Sequence, residues 1–205
     1  MISCTMVSFI LTSVPYYYNP TIHNLGNIGF GGKIHATIGI FATKLIDNIS
    51  YKGINIRNEI MQEYKENSVL DLCCGIGEST IDFGTGIDTS PEMISVAKFV
   101  NRNSDFYIGN AENYKPKLSY NIVSCMFAFH EMPLDAQCRV IENAIKIAKE
   151  EVIIVDISSN YQPKKIMLSG EPYLQDYLDN IDDVLSNFDK TNYIDNHVSI
   201  WKYKK

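Results

Sequence analysis

Val69-Leu70-Asp71-Leu72-Cys73-Cys74-Gly75-Ile76-Gly77 is a short apolar run that breaks into a glycine-x-glycine turn. A run of this length bounded by glycine reads as a strand buried on both faces. The turn lets the backbone bend sharply and lets a ligand approach it without meeting a Cβ atom. Further strands follow at Thr85–Asp88, Phe106–Gly109, Ile122–Met126 and Val152–Ile157, the first of the set being Ser68–Leu72. Helical patterns stand between several of them. One opens at Ser90-Pro91-Glu92, where Ser90 caps, Pro91 fits the first turn and Glu92 complements the dipole, and it buries Met93, Ile94, Ala97 and Val100. Another spans about Asp135–Glu150, with Val140, Ile141, Ala144, Ile145 and Ala148 at helical spacing. Gly170–Phe188 reads as a further helix, and Thr191–Tyr203 as two strands turning at Asp195-Asn196. The pattern is α/β: repeated β-α units, a mostly parallel sheet and an antiparallel C-terminal edge hairpin.

Upstream of Ser68 the text differs. Asn27–Gly32 is glycine-rich and reads as flexible, whereas Ile34–Ile49 and Ile54–Tyr64 are amphipathic helical patterns. Residues 1–67 read as an N-terminal helical cap without independence, and 68–205 as the domain it covers. Ile2–Val14 is uncharged, but it is shorter than the ~20 residues of a membrane span, and no positive charge precedes it as in a secretory signal. Met1–Pro15 is expected to pack as an ordinary N-terminal segment.

At 205 residues the chain suits one α/β domain. Its net charge of −6 repels a phosphate backbone, so nucleic acid is not an expected partner. Lys164-Lys165 and the tail Lys202–Lys205 are the tight basic clusters, and a solvated surface accounts for them. The five cysteines, Cys4, Cys73, Cys74, Cys125 and Cys138, lack C-x-x-C spacing, which fits a reducing cytoplasm.

The residues after the strands point to a nucleoside. Asp88 ends the second strand, where a carboxylate accepts hydrogen bonds from both ribose hydroxyls. Gly109-Asn110-Ala111-Glu112 ends the third and falls beside an adenine ring. One spacing is unusual. Ten residues separate Gly77 from Asp88, where about 20 are usual. The intervening helix, Glu78–Phe83, has room for a turn or two, so the cap is expected to cover part of that sheet face and cofactor binding to weaken.

Four motifs in order, over Ser68–Ser158, resemble the class I S-adenosylmethionine-dependent methyltransferases. They are Val69–Gly77, Gly86-Ile87-Asp88-Thr89-Ser90-Pro91-Glu92-Met93, Gly109–Glu112, and Tyr120–Pro133 with Phe129-His130-Glu131-Met132-Pro133. Asn110-Ala111-Glu112 is similar to the ubiquinone and menaquinone biosynthesis branch, although His130-Glu131 stands where that branch commonly has Arg-Asn. Ser169–Leu174 resembles uncharacterised algal and cyanobacterial methyltransferase-like proteins. The resemblance implies a Rossmann-like, doubly wound sheet. It also implies S-adenosyl-L-methionine as cofactor and transfer of its methyl group to a small-molecule acceptor by in-line displacement.

On that reading Asp71 orients the amino-acid end of the cofactor directly or through water, and Cys73, Gly75, Ile76 and Gly77 pass beneath it. Asp88 and Thr89 hold the ribose, Asn110 and Ala111 face the adenine, and Met93 packs at its edge or in the helix core. Met126 borders the cofactor from the fourth strand. His130, with a pKa suited to proton transfer near neutrality, is the candidate base, with Glu131 orienting it or acting itself. Hydrogen bonding to a loop is the other use of a histidine there. His23, His35 and Tyr16-Tyr17-Tyr18 either line an apolar pocket or seal the cap. Cys73 and Cys74 read as small residues fitting a turn, and no metal site is expected. Two other functions stay open. A non-catalytic S-adenosylmethionine-binding or interaction module would suit the shortened helix. A dehydrogenase would share the acidic ribose grip but lacks the third glycine, its place being taken by Thr80.

Overall fold

Seven strands form one sheet: β1 (Val69–Leu72), β2 (Thr85–Asp88), β3 (Asp105–Ile108), β4 (Tyr120–Met126), β5 (Ala148–Ile157), β6 (Asp189–Ile194) and β7 (Val198–Lys204). Their order is β3-β2-β1-β4-β5-β7-β6. The first five are parallel, and β7 runs antiparallel between β5 and β6, so the expected C-terminal hairpin closes that edge. The computed structural model describes residues 14–205; the expected packing of Met1–Pro15, and Cys4 with it, falls almost wholly outside them.

Helices cover both faces. On one, α4 (Leu134–Ile147) and α6 (Leu174–Val184) bring Val140, Ala144, Leu174, Tyr177 and Ile181 into a core with Leu70, Val123, Ile154 and Trp201. On the other, α2 (Ile56–Met61) sets Ile56, Ile60 and Met61 against Val69, Ile122 and Ile153. There too α3 (Pro91–Val100) sets Ile94 and Ala97 against Phe106. Removing such apolar surface from water, at about 25 cal/mol per Å2, supplies the main stabilisation. Edge strand β3 is less enclosed than its apolar text suggests: Phe106 is buried, while Tyr107 and Ile108 are exposed.

α1 (Gly29–Ser50) is longer than expected and takes in the glycine-rich stretch. Its packing face is also the opposite of the one its apolar residues suggest. Gly32 and Ala36 are buried and Gly39 faces Ile76, whereas Phe30, Ile38, Phe41, Leu45 and Ile49 are exposed. Small side chains let the helix approach Ile76 and Met93 closely.

The short helix expected at Glu78–Phe83 is absent, and turns and bends occupy that stretch. Its polar groups are engaged elsewhere. Ser79 and Thr80 turn their hydroxyls onto Asp71, Asn101 donates to the Thr80 carbonyl, and Ser104 donates to the Ile81 carbonyl. Those carbonyls therefore serve the α3–β3 connection instead of an i+4 ladder. The helix expected over Gly170–Phe188 is shorter, running only from Leu174 to Val184, and a separate short helix that was not expected, α5 (Lys165–Gly170), ends before Pro172, which has no N–H to offer. The helix expected to reach Glu150 stops at Ile147, because β5 already pairs at Ala148 with Tyr120.

Candidate active site

The chain steps from β1 to β2 to β3 and then returns to β4 on the other side of β1, which makes β1/β4 the switch point of the sheet. In open α/β sheets the crevice outside the strand ends there is where ligands bind. A cavity of about 210 Å3 occupies it. Its floor comes from the loops after β1, β2, β3 and β4, and its roof from Tyr16, Tyr17, Ile22, Asn27 and His35 of the N-terminal segment.

The glycine loop alternates left-handed residues: Cys73 (φ 56°), Gly75 (φ 53°) and Gly77 (φ 82°). The two glycines do different work. A Cβ on Gly75, which lines the cavity, would meet nothing within 4 Å, whereas one on Gly77 would lie 2.8 Å from the Phe106 ring. Gly75 leaves room on the ligand side, and Gly77 allows packing against β3. Gly77 does not line the cavity, while Cys73 and Ile76 do.

Asp88 is held from two sides: Oδ2 accepts from Gly75 N at 3.0 Å and Oδ1 from Ser90 N at 2.8 Å. Each oxygen keeps a second lone pair, and the residue lines the cavity. Burial pushes its carboxyl up to about 6 against the pull of the two N–H groups, because the charged form is poorly solvated without a further donor. Ribose hydroxyls are such donors. Thr89, Met93, Asn110, Ala111 and Met126 line the same cavity. Asn110 is braced by Glu112, whose N–H donates to its Oδ1, and Glu112 also accepts from Tyr16 Oη at 3.0 Å and Arg139 Nε at 2.5 Å.

Asp71 lies behind this wall. It is fully buried, it does not line the cavity, and its carboxylate is occupied by Ser79 Oγ and Thr80 Oγ1 at 2.7 Å and Ser124 Oγ at 3.1 Å. It ties the glycine loop to β4, and Ser79 presents itself to the cavity.

His130 is displaced in the same way. It is 6 % exposed and absent from the cavity lining, and its Nδ1 donates to Asp156 Oδ1 at 2.6 Å. Burial alone would lower its pKa; the Asp156 carboxylate overrides that and raises it to about 9. A protonated, enclosed imidazolium is poorly placed to take a proton. Asp156 also accepts from Phe129 N at 2.8 Å, so the pair fixes the turn that projects Glu131 into the cavity.

Glu131 in turn meets the cap. His23 Nε2 lies 2.9 Å from Glu131 Oε1, and His23 Nδ1 lies 2.8 Å from Glu171 Oε1. With both ring nitrogens donating, burial is outweighed by Glu131 and then Glu171, and the His23 pKa rises to about 11. Burial would likewise raise Glu131, but His23 draws it down to about 2. The cap is also fastened over the β2 turn: Tyr18 Oη donates to Thr89 O at 3.0 Å, Ser90 Oγ to Asn27 O at 2.5 Å, and Gly29 N to Glu92 Oε1 at 2.9 Å.

The sequence did not single out Asn27, Thr43, Arg57, Glu78 or Phe127 as cavity-lining residues, and no local motif marks them. They come from two helices, α1 and α2, and from loops whose docking is set by tertiary packing.

A parallel sheet with a carboxylate at the end of β2, a glycine loop after β1 and a nucleoside-sized crevice between them defines a Rossmann-like enzyme. The chain belongs to the methyltransferase domain family, whose model matches residues 63–196. It is an S-adenosylmethionine-dependent methyltransferase. No curated protein matches it. Among solved structures it is similar to magnesium protoporphyrin IX methyltransferase of Synechocystis PCC 6803 with bound S-adenosylmethionine, at 14 % identity and a TM-score of 0.53, over 88 % of this chain and 86 % of that one. It is also similar to a TehB-like S-adenosylmethionine-dependent methyltransferase of Corynebacterium glutamicum, at 14 % identity and a TM-score of 0.56, over 84 % and 99 %. At such identity these likenesses speak to the fold. Among the described residues no helix is long and apolar enough to cross a membrane.

Proposed function

We propose that the enzyme methylates a small molecule held between the N-terminal segment and the sheet. The cavity roof carries this reading: Tyr16, Tyr17, Ile22 and His35 stand over the loops that line the floor and narrow the crevice from the cap side. The net charge of −6 argues against a nucleic-acid acceptor. Residues 1–67 then act as a cap on a domain of 68–205. The free cysteines Cys73, Cys74, Cys125 and Cys138 suit a reducing cytoplasm.

S-adenosylmethionine, when bound, supplies an electrophilic methyl on a sulfonium. The protein's part is to align the reactants and exclude water. Asp88 accepts from the ribose hydroxyls, Asn110 and Ala111 border the base, and the Gly75-Ile76 backbone leaves room for the cofactor. Glu131, ionised and cavity-lining, is the group at the acceptor end able to accept a hydrogen bond, and His130 with Asp156 positions it.

The test is incubation of the full chain with methyl-deuterated S-adenosylmethionine and a low-molecular-mass metabolite extract. The expected result is S-adenosylhomocysteine together with a deuterated methyl in a small product. Label confined to added protein or nucleic acid would contradict the proposal, as would cofactor binding with no transfer to any fraction.

A further inference from the structure

We propose that His23, Glu131 and Glu171 form a binding site for a divalent first-row transition-metal ion of the zinc or manganese kind. The three come from distant parts of the chain: a 3-10 turn of the cap, the turn after β4, and the link between α5 and α6. Each offers one ligand atom, and these atoms lie within 4.8 Å of one another. Metal–ligand bonds of about 2.0–2.2 Å place opposed ligands roughly 4 Å apart, so a small contraction closes the set. One imidazole and two carboxylates are donors that borderline divalent ions accept, and three protein ligands leave positions open.

A second observation points to a missing cation. Glu171 is only 6 % exposed, yet its Oε2 is buried with no hydrogen-bond partner among the described residues. A buried carboxyl oxygen in that state lacks compensation. Within the triad two acidic side chains face one imidazole ring. Of the neighbouring histidines, His130 brings its Nε2 no nearer than 4.0 Å to Glu131 Oε1. His130 is engaged by its own carboxylate, Asp156, and His35 packs edge-on to His23 at 4.5 Å with its Nδ1 on the Gly26 carbonyl. His23 thus stands where a cation of higher charge fits. Metal binding would use the lone pair of one His23 nitrogen, release its proton to solvent, and draw the carboxylate on the other nitrogen round to the metal side.

Glu131 belongs both to this cluster and to the cofactor cavity. Any part the ion plays in methyl transfer rests on the function proposed above; its binding does not.

The full chain, stripped with chelator, is titrated calorimetrically with Zn2+ and with Mn2+ in two buffers of different ionisation enthalpy. At least one ion is expected to bind 1:1 and to release one proton per site. Glu171→Gln, which keeps the side-chain shape, is expected to weaken binding at least about tenfold, as is His23→Gln. Circular dichroism and melting of Glu171→Gln report that the fold is intact. Absence of 1:1 binding by either ion overturns the proposal, as does equal affinity in wild type and a folded Glu171→Gln. A parallel titration with S-adenosylhomocysteine separates the two readings: metal binding with the expected ligand dependence supports the site whatever that nucleoside does.

Discussion

Gly75 and Gly77 look equivalent in the glycine-x-glycine text, yet each answers to a different neighbour. Both have left-handed φ values, which cost an alanine about 1–2 kcal/mol. At Gly77 the new methyl would also lie 2.8 Å from Phe106, an overpacking worth a further ~1–3 kcal/mol. Gly77→Ala is therefore expected to lose about 2–5 kcal/mol in chemical denaturation. Gly75→Ala should stay near the lower figure but lose affinity for S-adenosylhomocysteine, because its methyl enters the cavity. Equal effects of the two on stability and binding would contradict this division. Asp88, Asn110 and Glu131 were legible in the sequence because each follows a strand, and the crevice of such a sheet lies at those ends. Asp71 and His130 also lie near strand ends, but side chains eight or more residues along the chain claim them. Ser79, Thr80 and Ser124 take the first, and Asp156 the second. That competition has no local signature.

Helices were read from periodicity, and periodicity states that a helix exists more securely than it states which face is inside. In α3 the two agree except at the last residue: Ser90 Oγ accepts from Met93 N at 3.1 Å as its capping position demands, and Met93, Ile94 and Ala97 are buried, while Val100, expected in the same stripe, is exposed where the helix ends. In α1 they part. Phe30, Ile38, Phe41, Leu45 and Ile49, which mark the pattern, face outward, and the stripe of small residues, with Ile40 beside it, faces Ile76 and Met93. Ala36→Leu, at a position with no exposure, is accordingly expected to destabilise the protein by about 1–3 kcal/mol. Phe41→Ser, at a residue 71 % exposed, should change stability by no more than about 0.5 kcal/mol. The opposite order in denaturant melts would show that α1 docks by its apolar face. The missing helix after Gly77 was legible as a shortage of residues, but its replacement by side-chain hydrogen bonds to α3 and β3 was not.

For the whole molecule, the cap and the sheet are joined where cofactor chemistry is expected. Tyr18, Asn27 and Gly29 grip the β2 turn, Tyr16 grips Glu112, and His23 grips Glu131 and Glu171. The mostly parallel sheet and the hairpin were legible in the sequence as β-α alternation ending in two strands and a turn. The placement of the cap was not, since it depends on ion pairs and hydrogen bonds between residues that no spacing links. All of this converges on Asp88, whose carboxylate must be ionised to accept from ribose hydroxyls. Burial holds it at about 6 in the free protein, and a ligand that donates to the charged form lowers that value. Affinity should thus be level above about pH 6 and fall about tenfold per unit below it, until the bound-state value is reached. Calorimetric titration of wild type and Asp88→Asn with S-adenosylhomocysteine at pH 7.5 and pH 5 tests this directly. The account predicts 1:1 binding at pH 7.5, weakened at pH 5, and weakened about tenfold or more by the substitution at pH 7.5. No binding by the folded wild type, or equal binding by both proteins at both pH values, would contradict it.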